Sequence, residues 1–171
     1  MSHVRMRSPS SPMPRIRVLL VEDSEADAGL VRMALEADQC AIWDVCHVTC
    51  LRAAIRIMET VDAHPDVMIV DPGLPDSHGV TSVVTLRAVA FTAQADALGL
   101  SPEEMPAENA VKCVVLSGHD YDAPGFVSKD HITDGGLLSY LHRLVLGEYE
   151  DPTGLHLRES LLERLAAVGG D

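Results

Sequence analysis

Glu22, Asp23, Asp71, Ser117 and Lys129 each stand where a run of apolar, mostly β-branched residues stops. Glu22-Asp23 follow Arg17–Val21, Asp71 follows Val67–Val70, Ser117-Gly118 follow Cys113–Leu116, and Lys129 follows Gly125–Ser128. A carboxylate can attack phosphorus to form an acyl phosphate, and Asp71 is the candidate nucleophile. Phosphoryl transfer asks mainly for positioning and for neutralisation of the charge on the equatorial oxygens. Mg²⁺ takes one or two protein carboxylates and fills its octahedron with water and substrate phosphate. Glu22 and Asp23, together with Asp71, suit it. Three clustered carboxylates with no cation would push at least one pKa up. Lys129 is placed to ion-pair with one phosphoryl oxygen and the Ser117 hydroxyl to donate to another. Taken singly, each residue has a plainer reading: a solvated helix N-terminus, a turn before Pro72, a loop, a surface lysine. Their joint order at four strand ends is what carries the chemistry.

The intervening sequence supplies the elements. Arg17–Val21 is a short continuous apolar run, as expected of a strand covered on both faces. Ser24 is placed to N-cap a helix, with Asp27 three residues on in a capping-box role. Ala28, Val31, Met33 and Leu35 supply that helix's apolar positions. Ile42–Val48, with Trp43, Val45 and His47 alternating, reads as a second strand. Thr49 is the expected cap of a helix in which Leu51, Ala54, Ile55 and Met58 share one face. Val67–Val70 is the third strand, and the two prolines and two glycines of Asp71–Gly79 make a shaped loop. A helix follows over Val80–Ala97, then the irregular Leu98–Ala110 with one helical turn starting at Ser101. Val111–Leu116 and Gly125–Ser128 are further strands. Ile132–Leu146 reads as the last core helix, with Leu137, Leu138, Leu141, Leu144 and Val145 on one face. Strand–helix alternation predicts βαβ crossovers and a parallel sheet, whose carboxyl ends share the edge where ligands bind.

Composition bounds the function. The formal charge of −13 argues against nucleic acid, since phosphate backbones are bound by clustered Lys and Arg. At 171 residues the expectation is one domain with tails and no DNA-binding output unit. No stretch approaches the roughly 20 apolar residues of a membrane span. Residues 1–14, Ser- and Pro-rich without an apolar core, read as a disordered tail, not a secretory signal. The four cysteines are expected to be reduced thiols in a cytoplasmic protein. Cys40, Cys46, His47 and Cys50 match no zinc spacing, and Cys46 reads as a small core residue. His64, His78, His131, His142 and His156 are scattered and read as surface or partly buried side chains.

Val-Glu-Asp-Ser at 21–24, Asp71-Pro-Gly-Leu-Pro-Asp-Ser-His-Gly79, Val115-Leu-Ser-Gly118 and Gly125-Phe-Val-Ser-Lys129 resemble, in order, the acidic-pair, phosphoacceptor, switch-hydroxyl and lysine motifs of the response regulator receiver domain. The resemblance covers residues 15–147. It implies a flavodoxin-like, doubly wound five-stranded parallel sheet. It implies further that Asp71 accepts a phosphoryl group from a histidine kinase or histidine phosphotransfer protein. Mg²⁺ would be held by the Glu22, Asp23 and Asp71 side chains and the Gly73 carbonyl. Ser117 and Phe126 would form the switch, and Gly73 and His119 would tune dephosphorylation by gating water.

The chain departs from that pattern in three places. Asp71 and Ser117 are farther apart than the family usually has them, the surplus falling in Ala88–Ala110, so an extended region after the third helix is expected. Only Gly118–Pro124 separates Ser117 from Gly125, too few residues for the usual fourth helix, which is expected to be missing or very short. Beyond residue 147, an acidic linker and an amphipathic helix over Leu155–Val168 form an extra C-terminal segment (148–171), read equally as a packed helix or as a dimer or partner interface. The expectation is a stand-alone, Mg²⁺-dependent response regulator in a phosphorelay, a phosphoacceptor and not an enzyme with a separate substrate. It would signal through protein contacts with a target not identified, a homodimer being left open. The alternative is a phosphorylation-independent receiver-like scaffold. An aspartyl-nucleophile hydrolase fits less well, because the residue two past Asp71 is Gly73 where a second Asp would supply the general acid.

Overall fold

The computed structural model describes residues 12–60, 64–119 and 125–146. Among the described residues, five strands and four helices follow in the order β1 (Arg15–Val21), α1 (Glu25–Glu36), β2 (Ile42–Val48), α2 (Leu51–Thr60), β3 (Val67–Val70), α3 (Val80–Leu98), β4 (Lys112–Ser117), β5 (Phe126–Ser128) and α4 (Gly136–Val145). All strand pairs are parallel, in the order β2-β1-β3-β4-β5.

Alternation along the strands divides the core between the two faces, as a period of two requires. Val18, Leu20, Ile69, Val114 and Leu116 pack with Ala28, Val31 and Leu35 of α1 and with Leu137, Leu141 and Leu144 of α4. Leu19, Val21, Met68, Val70, Cys113 and Val115 pack with Ala54 and Met58 of α2 and with Val83, Leu86 and Ala90 of α3. A sheet covered on both faces explains why its strands are continuous apolar runs. The doubly wound five-stranded fold read from the sequence is the one observed.

α3 runs for 19 residues, which accounts for part of the long interval after Asp71. It ends at Gly99, whose φ of 68° is left-handed and whose N–H returns to the Ala95 and Asp96 carbonyls, a glycine C-cap. Among the described residues no helix lies between β4 and β5. Nor is any helix among them long and apolar enough to cross a membrane. The expected C-terminal segment (148–171) lies outside the described residues, as do residues 1–11 of the expected N-terminal tail.

Several local expectations are corrected. Met33 is 66% exposed, on the side of α1 away from the Ala28–Val31–Leu35 stripe. Cys46 is exposed on the edge strand β2 instead of buried, and all four cysteines are free. Thr49 does not cap α2; the Asp76 carboxylate, from the loop after β3, accepts from Leu51 N–H (2.8 Å) and Arg52 N–H (2.9 Å). Ser101–Glu104 is a turn closed by Glu104 N–H to the Ser101 carbonyl (3.0 Å), and the short helical turn comes later, as a 3₁₀ turn at Ala107–Asn109. The last helix starts at Gly136, four residues later than expected, after a 3₁₀ turn over Lys129–His131. Gly135, at φ 88°, adopts a conformation only glycine takes cheaply, and Asp134 accepts the Gly136 N–H (2.9 Å).

One polar cluster ties the edge of the sheet to α4. The Asp38 side chain, 3% exposed, accepts from Trp43 Nε1 (2.7 Å), His142 Nε2 (2.8 Å) and Cys40 N–H (2.9 Å). Trp43 and His142 stack with ring centroids 6.2 Å apart.

Candidate functional site

Register brings the chemistry to one edge. Val21 pairs with Val70, Val70 with Val115, and Ser117 with Ser128. The residues that follow (Glu22, Asp71 and Lys129) and Ser117 itself therefore gather at the carboxyl edge of the sheet. Asp71 N–H donates to the Val21 carbonyl at 2.9 Å, stitching the two acidic strand ends together.

Lys129 is the hub. Its Nζ lies 2.7 Å from Asp71 Oδ2, 2.9 Å from Glu22 Oε2 and 2.7 Å from Asp27 Oδ2. Asp71 Oδ1 accepts the Gly73 N–H at 2.7 Å. A Cβ on residue 73 would stand 3.2 Å from that oxygen, so glycine keeps this approach uncrowded. Glu22 is wholly buried; its Oε1 accepts Ser24 N–H at 3.0 Å, and its carbonyl accepts from His47 Nε2 at 2.8 Å. Ser117 is buried at 3% exposure, and its oxygen accepts His119 N–H at 3.1 Å. Phe126 is half-buried against the α2–α3 core.

Burial drives the Glu22 carboxyl up to about 7, against the pull of Ser24 N–H and Lys129, and the charge of Asp71 pushes the same way. Burial also acts to raise Asp71, but the Lys129 ammonium and the Gly73 N–H outweigh it and hold that carboxyl below its ordinary value. Lys129 is held charged: burial opposes this, and the hydrogen bonds to Asp27 and Asp71 together with the adjacent Glu22 carboxyl overcome it.

Ligand oxygens of Glu22, Asp23 and Asp71 lie within 4.8 Å of one another. An all-oxygen set of this kind fits a hard divalent cation. A buried carboxyl as strained as Glu22 is where such a charge relieves most. The cluster is therefore a candidate divalent-metal site.

The structure thus brings Glu22, Asp23, Asp71 and Lys129 together, with Ser117 at the same edge. It adds Asp27, which spacing alone had assigned to a capping box. The Ser24 hydroxyl does cap α1, accepting Asp27 N–H at 3.3 Å, but Glu22 takes the Ser24 N–H, leaving the Asp27 side chain to reach Lys129. The one signal that could have flagged Asp27 is its place one helical turn past the acidic pair. His78 is exposed in the Asp71 loop. His131 contacts Asp134 at 2.6 Å, and His156 lies outside the described residues.

No family model matches the chain, and no curated protein matches it. Solved structures do. The phosphorylated cyanobacterial phytochrome response regulator RcpA aligns with a TM-score of 0.55 at 17% identity, over 81% of this chain and 99% of its own. The Mn²⁺-bound form of response regulator Rcp1 aligns at 0.53 and 16%, over 80% and 99%. The non-phosphorylated receiver domain of the stress response regulator RcsB from Escherichia coli aligns at 0.50 and 17%, over 78% and 95%. The fold of this chain is that of a response regulator receiver domain.

Proposed function

We propose that this receiver fold is a working phosphoacceptor, a response regulator that takes a phosphoryl group onto Asp71 from a histidine kinase or phosphotransfer protein. The observation that carries this reading is the Lys129 ammonium 2.7 Å from an Asp71 carboxylate that also accepts the Gly73 N–H. In the transfer, an Asp71 oxygen forms the new P–O bond, the P–N bond to the donor imidazole breaks, and the imidazole leaves. Asp71 suits attack because it is kept ionised. Lys129 donates to a phosphoryl oxygen; Ser117, whose oxygen accepts from His119 N–H, keeps its own proton to donate to another. Glu22, Asp23 and Asp71, with the Gly73 carbonyl, would hold Mg²⁺, which would offset the charge of the transferring group. Gly73 and His119 flank the phosphoryl position and set how readily water reaches it.

Output in this reading runs through protein contacts in the cytoplasm. Ser117 moves toward the phosphoryl group and Phe126 changes rotamer, a two-state shift biased by local charge. The net charge of −13 supports a protein target over nucleic acid. Intact-mass measurement after incubation with acetyl phosphate and Mg²⁺ tests it. One added phosphoryl in the wild type, absent from Asp71→Asn and absent without Mg²⁺, is expected. If no adduct forms and beryllofluoride does not bind, the protein is a receiver-like scaffold instead.

A further inference from the structure

Lys129 holds three carboxylates, and only two of them belong to the cation and phosphoryl chemistry. An ammonium has three donors; two are hydrogen-bonded by Asp71 and Asp27, while Glu22 Oε2 stands 2.9 Å away as an ion-pair partner without a hydrogen bond. Asp27 lies in the first turn of α1, 102 residues from Lys129 in sequence. Its backbone is fixed, since Ser24 caps its N–H and the adjacent Ala28, with Val31, is fully buried. Asp27 is therefore an acceptor on a rigid element aimed at a flexible side chain.

From this geometry we infer that Asp27 is the positioning residue for Lys129, an inference that rests on the phosphoacceptor reading above. Lys129 ends a four-carbon stem and, as a mobile point charge, needs an anchor to face one phosphoryl oxygen. The third Lys129 donor, which Glu22 pairs by charge but not by a hydrogen bond, is the one that would face an incoming phosphoryl oxygen. Asp27 keeps its own hydrogen bond throughout, so the ammonium stays over Asp71 instead of following Glu22 or swinging to solvent. Asp27 touches neither phosphorus nor nucleophile; it acts through Lys129.

The chain has only two lysines, Lys112 and Lys129, which makes the contact measurable on the full-length protein without any phosphoryl donor. Brief acetylation with a water-soluble N-hydroxysuccinimide acetate, followed by peptide mass analysis, gives the Lys129 to Lys112 labelling ratio. Asp27→Ala is expected to raise that ratio about tenfold, the equivalent of one charge-assisted hydrogen bond. Asp27→Asn, which keeps an acceptor oxygen, is expected to fall between. With acetyl phosphate and Mg²⁺, the maximal phosphorylation rate should fall about 10- to 100-fold in Asp27→Ala, as for other outer partners that orient a reacting group. The half-saturating acetyl phosphate concentration should stay unchanged. In a Lys129→Ala background, removing Asp27 should cost nothing further. Unchanged Lys129 labelling in folded Asp27→Ala and Asp27→Asn would overturn the inference, as would an additive loss on top of Lys129→Ala. A labelling response in a protein that takes no phosphoryl group would leave the Asp27–Lys129 anchor standing and refute the phosphoacceptor reading.

Discussion

Lys129 Nζ stands 2.7 Å from Asp71 Oδ2, although the two residues end strands separated by the whole of β4. The same ammonium supplies the countercharge that a fully buried Glu22 needs. Replacing Lys129 by Ala leaves these carboxylates facing one another. The fold should lose about 3 kcal/mol, held to the low end of such changes because Glu22 can protonate. Thermal unfolding checks this, and Mg²⁺ should raise the melting temperature of Lys129→Ala by more than it raises the wild type's. Phosphorylation by acetyl phosphate should fall about 10²- to 10³-fold, the usual loss of one donor to developing oxyanion charge.

Asp76 links the Asp71 loop to another element. Its carboxylate receives the first two N–H groups of α2, and the Arg52 N–H does most to hold it below its ordinary pKa. Asp76→Ala should cost about 1 kcal/mol, as other lost N-caps do, or a melting shift of about 2–4 °C. Amide exchange at Leu51 and Arg52 should quicken while that of β3 stays slow.

The division between what the sequence told and what it hid follows the range of the interactions. β1, β3 and β4 are buried on both faces, so their continuous apolar runs announced them, and the residues ending those runs marked the functional edge. The Asp27 contact was hidden because Asp27 sits at capping-box spacing from Ser24 while its partner lies 102 residues away. Asp76 was hidden for the same reason: a cap is ordinarily sought just before its helix, and this one comes from 24 or 25 residues downstream. Met33 was counted among the apolar positions of α1, yet a short stripe of Ala28, Val31 and Leu35 already fills the contact with the sheet and Met33 is exposed. The late start of α4 depends on Asp134 and the left-handed Gly135, local choices that a hydrophobic stripe does not record.

Asp38 gives the protein a defined acid sensitivity. Burial acts to raise its carboxyl, but hydrogen bonds from His142, Cys40 N–H and Trp43 outweigh that and hold it below the ordinary value. The unfolded chain therefore binds more protons than the folded one between the two pKa values, and stability rises with pH there. The Asp38 contribution is present above its unfolded pKa of about 3.9 and is lost as pH falls through the lower folded value. Urea midpoints measured downward from pH 5 should drop more steeply for the wild type than for Asp38→Asn. At pH 7 Asp38→Ala should cost about 1.5–3 kcal/mol, the worth of hydrogen bonds to a charged group.

The most direct test of the account is chemical identification of the phosphorylated atom. An acyl phosphate on aspartate is reduced by borohydride to homoserine, which peptide sequencing locates. After treatment with acetyl phosphate and Mg²⁺, homoserine at position 71 and nowhere else is the predicted result. A stable adduct on another residue, or homoserine at Asp23 or Asp27 with Asp71 intact, would contradict the assignment of Asp71 as the nucleophile.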